Sequence, residues 1–254
     1  MLEANHSWVV LFGGAQREET VLRMRDCGYE VRVLVPHGGT EKFLASQKRL
    51  ASKQISCSEV TRETFELEAT SRSGFGLLSL GFPWRIPQSL YGNFEVALNV
   101  HPTLLPHYRG PTTGAYVLIN GEEFSGSTVH QISADFDAGP IIAQSRVPLS
   151  PFETVQSLQR KVYASEPDLV MEALMKIQNG EAPTPQNTSE GSEFPKSRNP
   201  ADSEIDPNKS LIELFNRIRA SDELYFPAFF FHHGEKVCVK LWRPDKPGGE
   251  DDLL

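Results

Sequence analysis

The amino-acid sequence predicts an α/β fold built on an open, mostly parallel sheet with flanking helices. Residues 8–12 form a short, continuous apolar run, which is typical of a strand buried on both faces. A helical pattern follows at residues 18–27, and residues 30–36 form a second apolar run. Because crossovers between parallel strands are right-handed, these three segments predict a βαβ unit of the Rossmann-like type.

Two glycines, Gly13 and Gly14, follow the first predicted strand. A dinucleotide-binding turn would carry the pattern GxGxxG and an acidic residue about 20 positions further on. The sequence has neither, so we expect no nicotinamide cofactor at this turn. We interpret the two glycines as residues that allow a tight connection between strand and helix.

The alternation of apolar strands and amphipathic helices continues to residue 178. Helices are predicted at residues 43–51, 64–70, 112–120, 152–164 and 168–178, and strands at residues 75–80, 96–100, 127–132 and 141–147. Pro167 separates the last two helices, because proline lacks a main-chain donor and clashes with the preceding turn. Residues 1–180 are therefore predicted to form the main domain.

The last third of the chain changes character. Residues 181–209 are rich in Pro, Ser, Thr, Asn and Glu, and we interpret them as a mobile connector lying along the surface. Residues 210–243 are predicted to form a small C-terminal subdomain, with a helix at 210–220 and a β-hairpin that turns at His233 and Gly234. The acidic tail at 244–254 is expected to be disordered.

Charge and cysteine content indicate which binding partners and which cellular compartment to expect. The 254-residue chain has 25 basic and 33 acidic side chains, and its net charge of −8 does not favour a nucleic-acid partner. Cys27, Cys57 and Cys238 are scattered and form no CxxC pair, which indicates a reducing compartment. No apolar run reaches the length of about 18 residues that a membrane span requires. Residues 1–7 lack the pattern of a secretory signal, so a cytoplasmic protein is expected.

A candidate site lies at the end of the strand predicted at residues 96–100. Asn99 and His101 are two positions apart, so they project from the same face of the strand. Pro102 and Pro106 then force an irregular loop. The carboxyl ends of strands in open α/β sheets are where ligands bind. A capped strand end with a surface histidine is the alternative interpretation.

A second segment, in which strand 127–132 is followed by a turn at residues 135–139, strengthens the functional interpretation. Together the two segments resemble the folate-dependent formyltransferase family, which includes glycinamide ribonucleotide, methionyl-tRNA and sugar-nucleotide N-formyltransferases. The matching residues are Asn99, His101, Pro102, Leu104, Leu105, Pro106, Tyr108, Arg109, Gly110, Gly121, Glu122, Gly126, Thr128, His130, Asp137 and Gly139. The resemblance is most specific at residues 77–147 and extends more loosely over 8–243.

The resemblance implies a role for each part of the motif. It makes residues 1–180 the catalytic domain, with Asn99, His101 and Asp137 as the catalytic trio, N10-formyltetrahydrofolate as co-substrate and no metal. The implied folate-binding residues are Leu80, Gly81, Phe82, Ile86, Ser133, Ala134 and Asp135, and the implied substrate-binding residues are Tyr108, Arg109 and Gly110. It also implies a cis peptide between Leu105 and Pro106. Phe82 and Trp84 match the family poorly, and we favour core packing for both rings over stacking on the pterin.

Formyl transfer to an amine needs donors for a developing oxyanion and a group that accepts the amine proton. The Asn99 amide and a protonated His101 could supply the donors, and Asp137 could accept the proton and raise the pKa of His101. We expect His130 to form hydrogen bonds within the site rather than to act in catalysis. A zinc site made of His101, His130 and Asp137 is the alternative, but no short-spaced histidine pair supports it.

A nucleotide-linked amino sugar is the acceptor that the sequence favours. Residues 201–254 carry 11 acidic and 7 basic side chains, a net charge of −4, whereas a tRNA-binding module should be basic. Methionyl-tRNA formyltransferase, glycinamide ribonucleotide formyltransferase and formyltetrahydrofolate hydrolase are the alternatives. The apolar hairpin near the end of the chain is expected to cover the catalytic domain or to pair in a homodimer.

Overall fold

The computed structural model describes residues 7–71, 76–111, 113–194, 196–223, 225–250 and 253–254. The main-sheet strands are β1 (Ser7–Phe12), β2 (Glu30–Pro36), β3 (Cys57–Val60), β4 (Gly76–Leu80), β5 (Val96–His101), β6 (Phe124–Gln131) and β7 (Ile141–Pro148). Phe75 and Thr112, where we predicted a strand and a helix to begin, lie outside the described residues, as do residues 1–6.

The seven strands form a single sheet in the order β3-β2-β1-β4-β5-β6-β7. The first five of these strands run parallel, and β6 and β7 are antiparallel to their neighbours. The prediction of an open, mostly parallel Rossmann-like sheet is therefore confirmed. The reversal at β6 places Asn99 directly opposite His130 and His101 opposite Thr128.

Helices cover both faces of this sheet. They are α1 (Glu18–Asp26), α2 (Glu41–Ser52), α3 (Phe65–Thr70), α4 (Gln88–Tyr91), α5 (Gly114–Ile119), α6 (Val155–Gln178) and α7 (Leu211–Arg219). Among the described residues, no helix is both long and apolar enough to cross a membrane. Alternate residues of β1 face opposite sides, so that Val10 packs in one apolar cluster and Val9 and Leu11 in the other.

The prediction of two helices separated by Pro167 is wrong, because α6 runs through this proline without a break. The helix begins at a capping box formed by Thr154 and Ser157. Leu158 packs into a buried cluster before the proline, and Leu169 packs into another after it. Burial on both sides outweighs the cost of an interior proline, which is about 3 kcal/mol.

Two short elements, β3 and α4, were not predicted. β3 is a four-residue strand at the edge of the sheet, and much of it is partly exposed. It therefore lacks the continuous apolar run that marks the central strands. α4 is a single turn, which is too short to show helical periodicity.

The connector lies along the surface, and main-chain hydrogen bonds attach part of it to the sheet. Thr184 and Ile141 exchange two such bonds of 2.7 and 2.8 Å. The hairpin strands β8 (Ala228–His232) and β9 (Glu235–Val239) pack with α7, as expected for the C-terminal subdomain. The expectation of a disordered tail does not hold for Leu253 and Leu254, which are buried. Residues 251 and 252 of that tail lie outside the described residues.

Candidate active site

The three residues of the predicted catalytic trio lie together at the end of β5. Asn99 and His101 project from β5, and Asp137 lies in the turn that follows β6. The Asn99 amide nitrogen Nδ2 is 3.3 Å from Asp137 Oδ1, and His101 Nδ1 is 3.4 Å from Asp137 Oδ2. The Asp137 carboxylate thus joins the turn after β6 to the end of β5.

Asp137 receives further contacts from two other segments. The main-chain N–H of Gly110 donates to Oδ2 at 2.9 Å, and His130 Nε2 lies 3.5 Å from Oδ1. Burial alone raises the pKa of Asp137, but His101, His130 and the Gly110 N–H favour the carboxylate more strongly and hold the pKa well below its ordinary value. Asp137 is therefore an anion at neutral pH.

His101 is fixed by the loop that follows its strand. Its Nε2 donates to the main-chain carbonyl of Tyr108 at 2.8 Å, so in the neutral ring Nδ1 carries the lone pair that faces Asp137. Burial lowers the pKa of His101, and the Asp137 charge and the Tyr108 carbonyl oppose this only in part. Asp137 raises the pKa of His101, as expected, but the net shift is downward because the ring is enclosed and desolvation penalises the imidazolium.

His130 is part of the same hydrogen-bonded cluster. Its Nδ1 lies 2.9 Å from the Gln131 carbonyl, and its Nε2 lies 3.1 Å from the Asn99 amide nitrogen. The prediction that His130 forms hydrogen bonds within the site is confirmed. In the part of the chain that the structure describes, no group of three or more His, Cys, Asp or Glu side chains is arranged to hold a metal ion.

The two segments that the sequence assigns to folate lie side by side. Arg85 Nη2 donates to the Ala134 carbonyl at 3.0 Å, and the guanidinium lies over the Phe136 ring, 5.2 Å from its centre. The Phe82 and Trp84 rings pack on each other and on Phe65, with centroids 5.1 to 5.6 Å apart. This confirms core packing as the favoured interpretation of both rings.

Tyr108 and Arg109, which the resemblance assigns to the acceptor substrate, make different contacts. The Tyr108 hydroxyl donates to Glu122 at 2.6 Å, and burial together with this partner raises the pKa of Tyr108 to about 12. Its side chain is therefore engaged away from the trio, while its carbonyl holds His101. Arg109 has one long contact of 3.4 Å with Glu193, and its buried Nε has no partner among the described residues. The predicted cis peptide between Leu105 and Pro106 is confirmed.

A buried ion pair under the trio was not anticipated. Arg17, in the turn after β1, donates to both carboxylate oxygens of Glu166 on α6 at 2.6 and 2.8 Å. It also donates to the main-chain carbonyl of Val100 at 3.0 Å, between Asn99 and His101 on β5. Ser127 Oγ adds a third donor to Glu166 at 2.9 Å. No sequence pattern indicates this contact, because Arg17 follows a glycine turn and Glu166 lies in a helix far along the chain.

Comparison with known proteins agrees with this geometry. A family model described as formyl transferase matches residues 32–174, which is more than half of the chain. The chain belongs to the formyl transferase family. The match includes the whole trio and both segments assigned to folate.

Solved structures similar to this formyl transferase cover nearly all of the chain. A sugar N-formyltransferase from a Shewanella species is 19% identical with a TM-score of 0.73, covering 93% of this chain and 96% of that one. A 4-N formyltransferase from Francisella tularensis is 22% identical with a TM-score of 0.75, covering 93% and 97%. HypX from Aquifex aeolicus, solved in complex with tetrahydrofolic acid, is 20% identical with a TM-score of 0.69, covering 93% and 37%. At these identities the likeness shows the fold.

The buried pair gives a stability prediction for this formyl transferase. Glu166→Gln should lower the free energy of unfolding by about 3–5 kcal/mol, because Arg17 becomes a buried charge without a counter-ion. The double variant Arg17→Met/Glu166→Leu should recover most of this loss, since it leaves no buried charge. Urea denaturation followed by circular dichroism measures both values.

The exposed pair between Arg23 and Asp168 provides the matched control. Its side chains are 53% and 85% exposed at 3.3 Å, so Asp168→Asn should cost no more than about 1 kcal/mol. If Glu166→Gln lowers the free energy of unfolding as little as Asp168→Asn does, the prediction that the buried pair stabilises the fold is contradicted.

Proposed function

We propose that this enzyme transfers a formyl group from N10-formyltetrahydrofolate to the amine of a nucleotide-linked amino sugar. The observation that carries the proposal is the enclosed Asp137 carboxylate, whose two oxygens meet Asn99, His101 and the Gly110 N–H. This arrangement offers an anion, a proton-accepting ring and an amide within one small site.

The loop after β4 has the polar groups that a pterin ring requires. The main-chain N–H groups of Phe82, Trp84, Arg85 and Ile86 donate to no other main-chain group among the described residues. Arg85 closes this loop against Ala134. The donor and acceptor edge of a pterin would satisfy these groups, so the segment fits a folate and supports the assignment of Leu80, Gly81, Phe82, Ile86, Ser133, Ala134 and Asp135 to its binding.

The bound folate would supply a formyl carbon attached to its N10. The acceptor amine forms a bond to that carbon, the bond to N10 breaks, and the electron pair of the broken bond takes up a proton at N10. The amine loses one proton, which His101 Nδ1 or Asp137 Oδ2 can accept and which is then returned to N10, so that the enzyme regains its resting protonation. When Asp137 takes up the amine proton, the Asn99 N–H that donates to Asp137 Oδ1 at rest is released and can donate to the formyl oxygen, where negative charge develops.

A sugar nucleotide is the acceptor class that the charges support. Arg109 is a largely buried cation with a long contact to a half-exposed glutamate, so its guanidinium can bind a phosphate oxygen. The chain carries a net charge of −8, which is unfavourable for tRNA. The Shewanella and Francisella proteins described as sugar and 4-N formyltransferases point to the same class.

We also propose a cytoplasmic homodimer. Leu211 and Ile212 on α7 and Phe231 and Trp242 near the hairpin are all more than half exposed. A second copy of the chain would cover these side chains. The cysteines are free, which is consistent with a reducing compartment.

The proposed function predicts a product that mass spectrometry can identify. A panel of amino-sugar nucleotides incubated with N10-formyltetrahydrofolate and the enzyme should yield one acceptor that gains the mass of one CO. Release of formate without any acceptor would indicate a hydrolase instead. Formylation of charged initiator tRNA or glycinamide ribonucleotide at a comparable rate would overturn the assignment of the acceptor.

Asn99→Ala and His101→Ala should each lower kcat by about 10²–10³-fold, because each removes a donor or a proton acceptor at the reacting carbon. Stopped assays at saturating substrate measure this loss. His107→Ala is the matched control, since His107 is an exposed histidine of the same loop. Turnover near that of the wild type in both site variants would contradict their catalytic assignment.

Arg109→Ala should raise the KM for the acceptor by about 10–100-fold with little change in kcat, since a hydrogen bond to a charged group is worth about 1.5–3 kcal/mol. Initial rates at varied acceptor concentration measure the effect. Arg23→Ala, which removes an exposed arginine far from the loop, should leave KM unchanged. If the KM for the acceptor is unaltered in Arg109→Ala, the assignment of Arg109 to phosphate binding is wrong.

A further inference from the structure

The connector forms one wall of the catalytic site. Its first part pairs with β7 through Thr184 and Ile141, and its last part pairs with the loop after β5. There the N–H of Arg109 donates to the Ser192 carbonyl at 2.9 Å, and the N–H of Phe194 donates to the Arg109 carbonyl at 2.8 Å. Between these two attachments lies Gln186.

Gln186 is bonded to the turn that carries Asp137. Its side-chain nitrogen Nε2 donates to the main-chain carbonyl of Asp137 at 3.0 Å and to that of Gly139 at 2.6 Å. Two carbonyl oxygens can be satisfied by an NH2 group but not by an oxygen, so the orientation of this amide is fixed. Its Oε1 is buried without a partner among the described residues.

The Asp137 turn needs support from outside. Asp137 has a φ of +50°, a left-handed conformation that few non-glycine residues adopt, although Asp tolerates it better than most. On one side Gly139 lies so close to the sheet that a Cβ would come within 1.9 Å of the Gln131 carbonyl. On the other side the contact from the connector is Gln186. The turn is therefore held between the sheet and the connector.

We propose that Gln186 is a positioning residue for Asp137: it fixes the main chain of the turn so that the carboxylate meets Asn99, His101 and Gly110. Its Nε2 is fully used and its Oε1 is enclosed, so it acts through Asp137 rather than on the substrate. The kinetic test of this proposal rests on the proposed formyl transfer, whereas the test by amide hydrogen exchange does not.

The kinetic experiment compares Gln186→Ala with Gln178→Ala. Gln178 donates to the Tyr29 hydroxyl at the far end of α6 and is a matched control. Gln186→Ala should lower kcat by on the order of 10²-fold, since a small displacement of a catalytic group has this effect. The KM for the folate should stay unchanged. Equal kcat values in the two variants would overturn the proposal.

Two further variants separate positioning from loss of fold. Gln186→Glu places an acceptor against two carbonyl oxygens and should be less active than Gln186→Ala, whereas Gln186→Lys keeps a donor and should recover part of the activity. In Gln186→Ala the pKa of Asp137 should rise toward its ordinary value as its contacts loosen. Carbon-13 NMR titration of the Asp137 carboxylate measures this rise directly. An unchanged Asp137 pKa, or a Glu variant as active as the Lys variant, would count against positioning.

Amide hydrogen exchange of residues 135–141 provides a readout that needs no substrate. Exchange should be faster in Gln186→Ala than in Gln178→Ala. If it is faster but the wild type transfers no formyl group to any amine, the proposed function fails and the positioning role stands. Unchanged exchange would overturn the positioning role, whatever the activity.

Discussion

The buried pair of Arg17 and Glu166 is the interaction on which the rest of the site depends. Through it the turn after β1, the end of β5, the centre of β6 and the long helix α6 meet at one point. A lone charge at this depth would be strongly destabilising, so each partner requires the other. Because Arg17 also binds the Val100 carbonyl, it fixes the strand between Asn99 and His101. The interior proline of α6, one residue after Glu166, lies in a helix that this contact anchors to the sheet.

The electrostatics of the site follow from enclosing one carboxylate beside two histidines. Asp137 stays ionised because its neighbours favour the anion, while burial favours the neutral form of His101. At rest the site therefore holds a negative charge and a free imidazole lone pair 3.4 Å apart. Such a pair can share a proton that arrives with the reaction, without any rearrangement of the main chain. This preorganisation is what distinguishes the cluster from a surface ion pair.

The sequence predicted the central strands from local apolar runs, and its resemblance to the formyltransferase family implied the trio and the cis peptide. It did not predict β3, which is short and half exposed, or the continuity of α6 through Pro167, which depends on packing at both ends. The sequence indicated that Asp137 raises the pKa of His101, but not that burial outweighs this effect, since a sequence does not show how deeply the ring is enclosed. The pair of Arg17 and Glu166 joins residues 149 positions apart, and no local pattern reports such a contact.

The two side chains that support the trio, Arg17 and Gln186, both lie outside residues 32–174, the range that matches the family model. The matched range contains the trio and the segments assigned to folate. The strand end and the turn that carry the trio are held from outside that range, by the turn after β1 and by the connector. The connector also pairs with the loop of Arg109, so one segment contacts both the turn of Asp137 and the residue assigned to the phosphate. Under the proposed function, a change in the connector would therefore alter acceptor binding and the placement of Asp137 together.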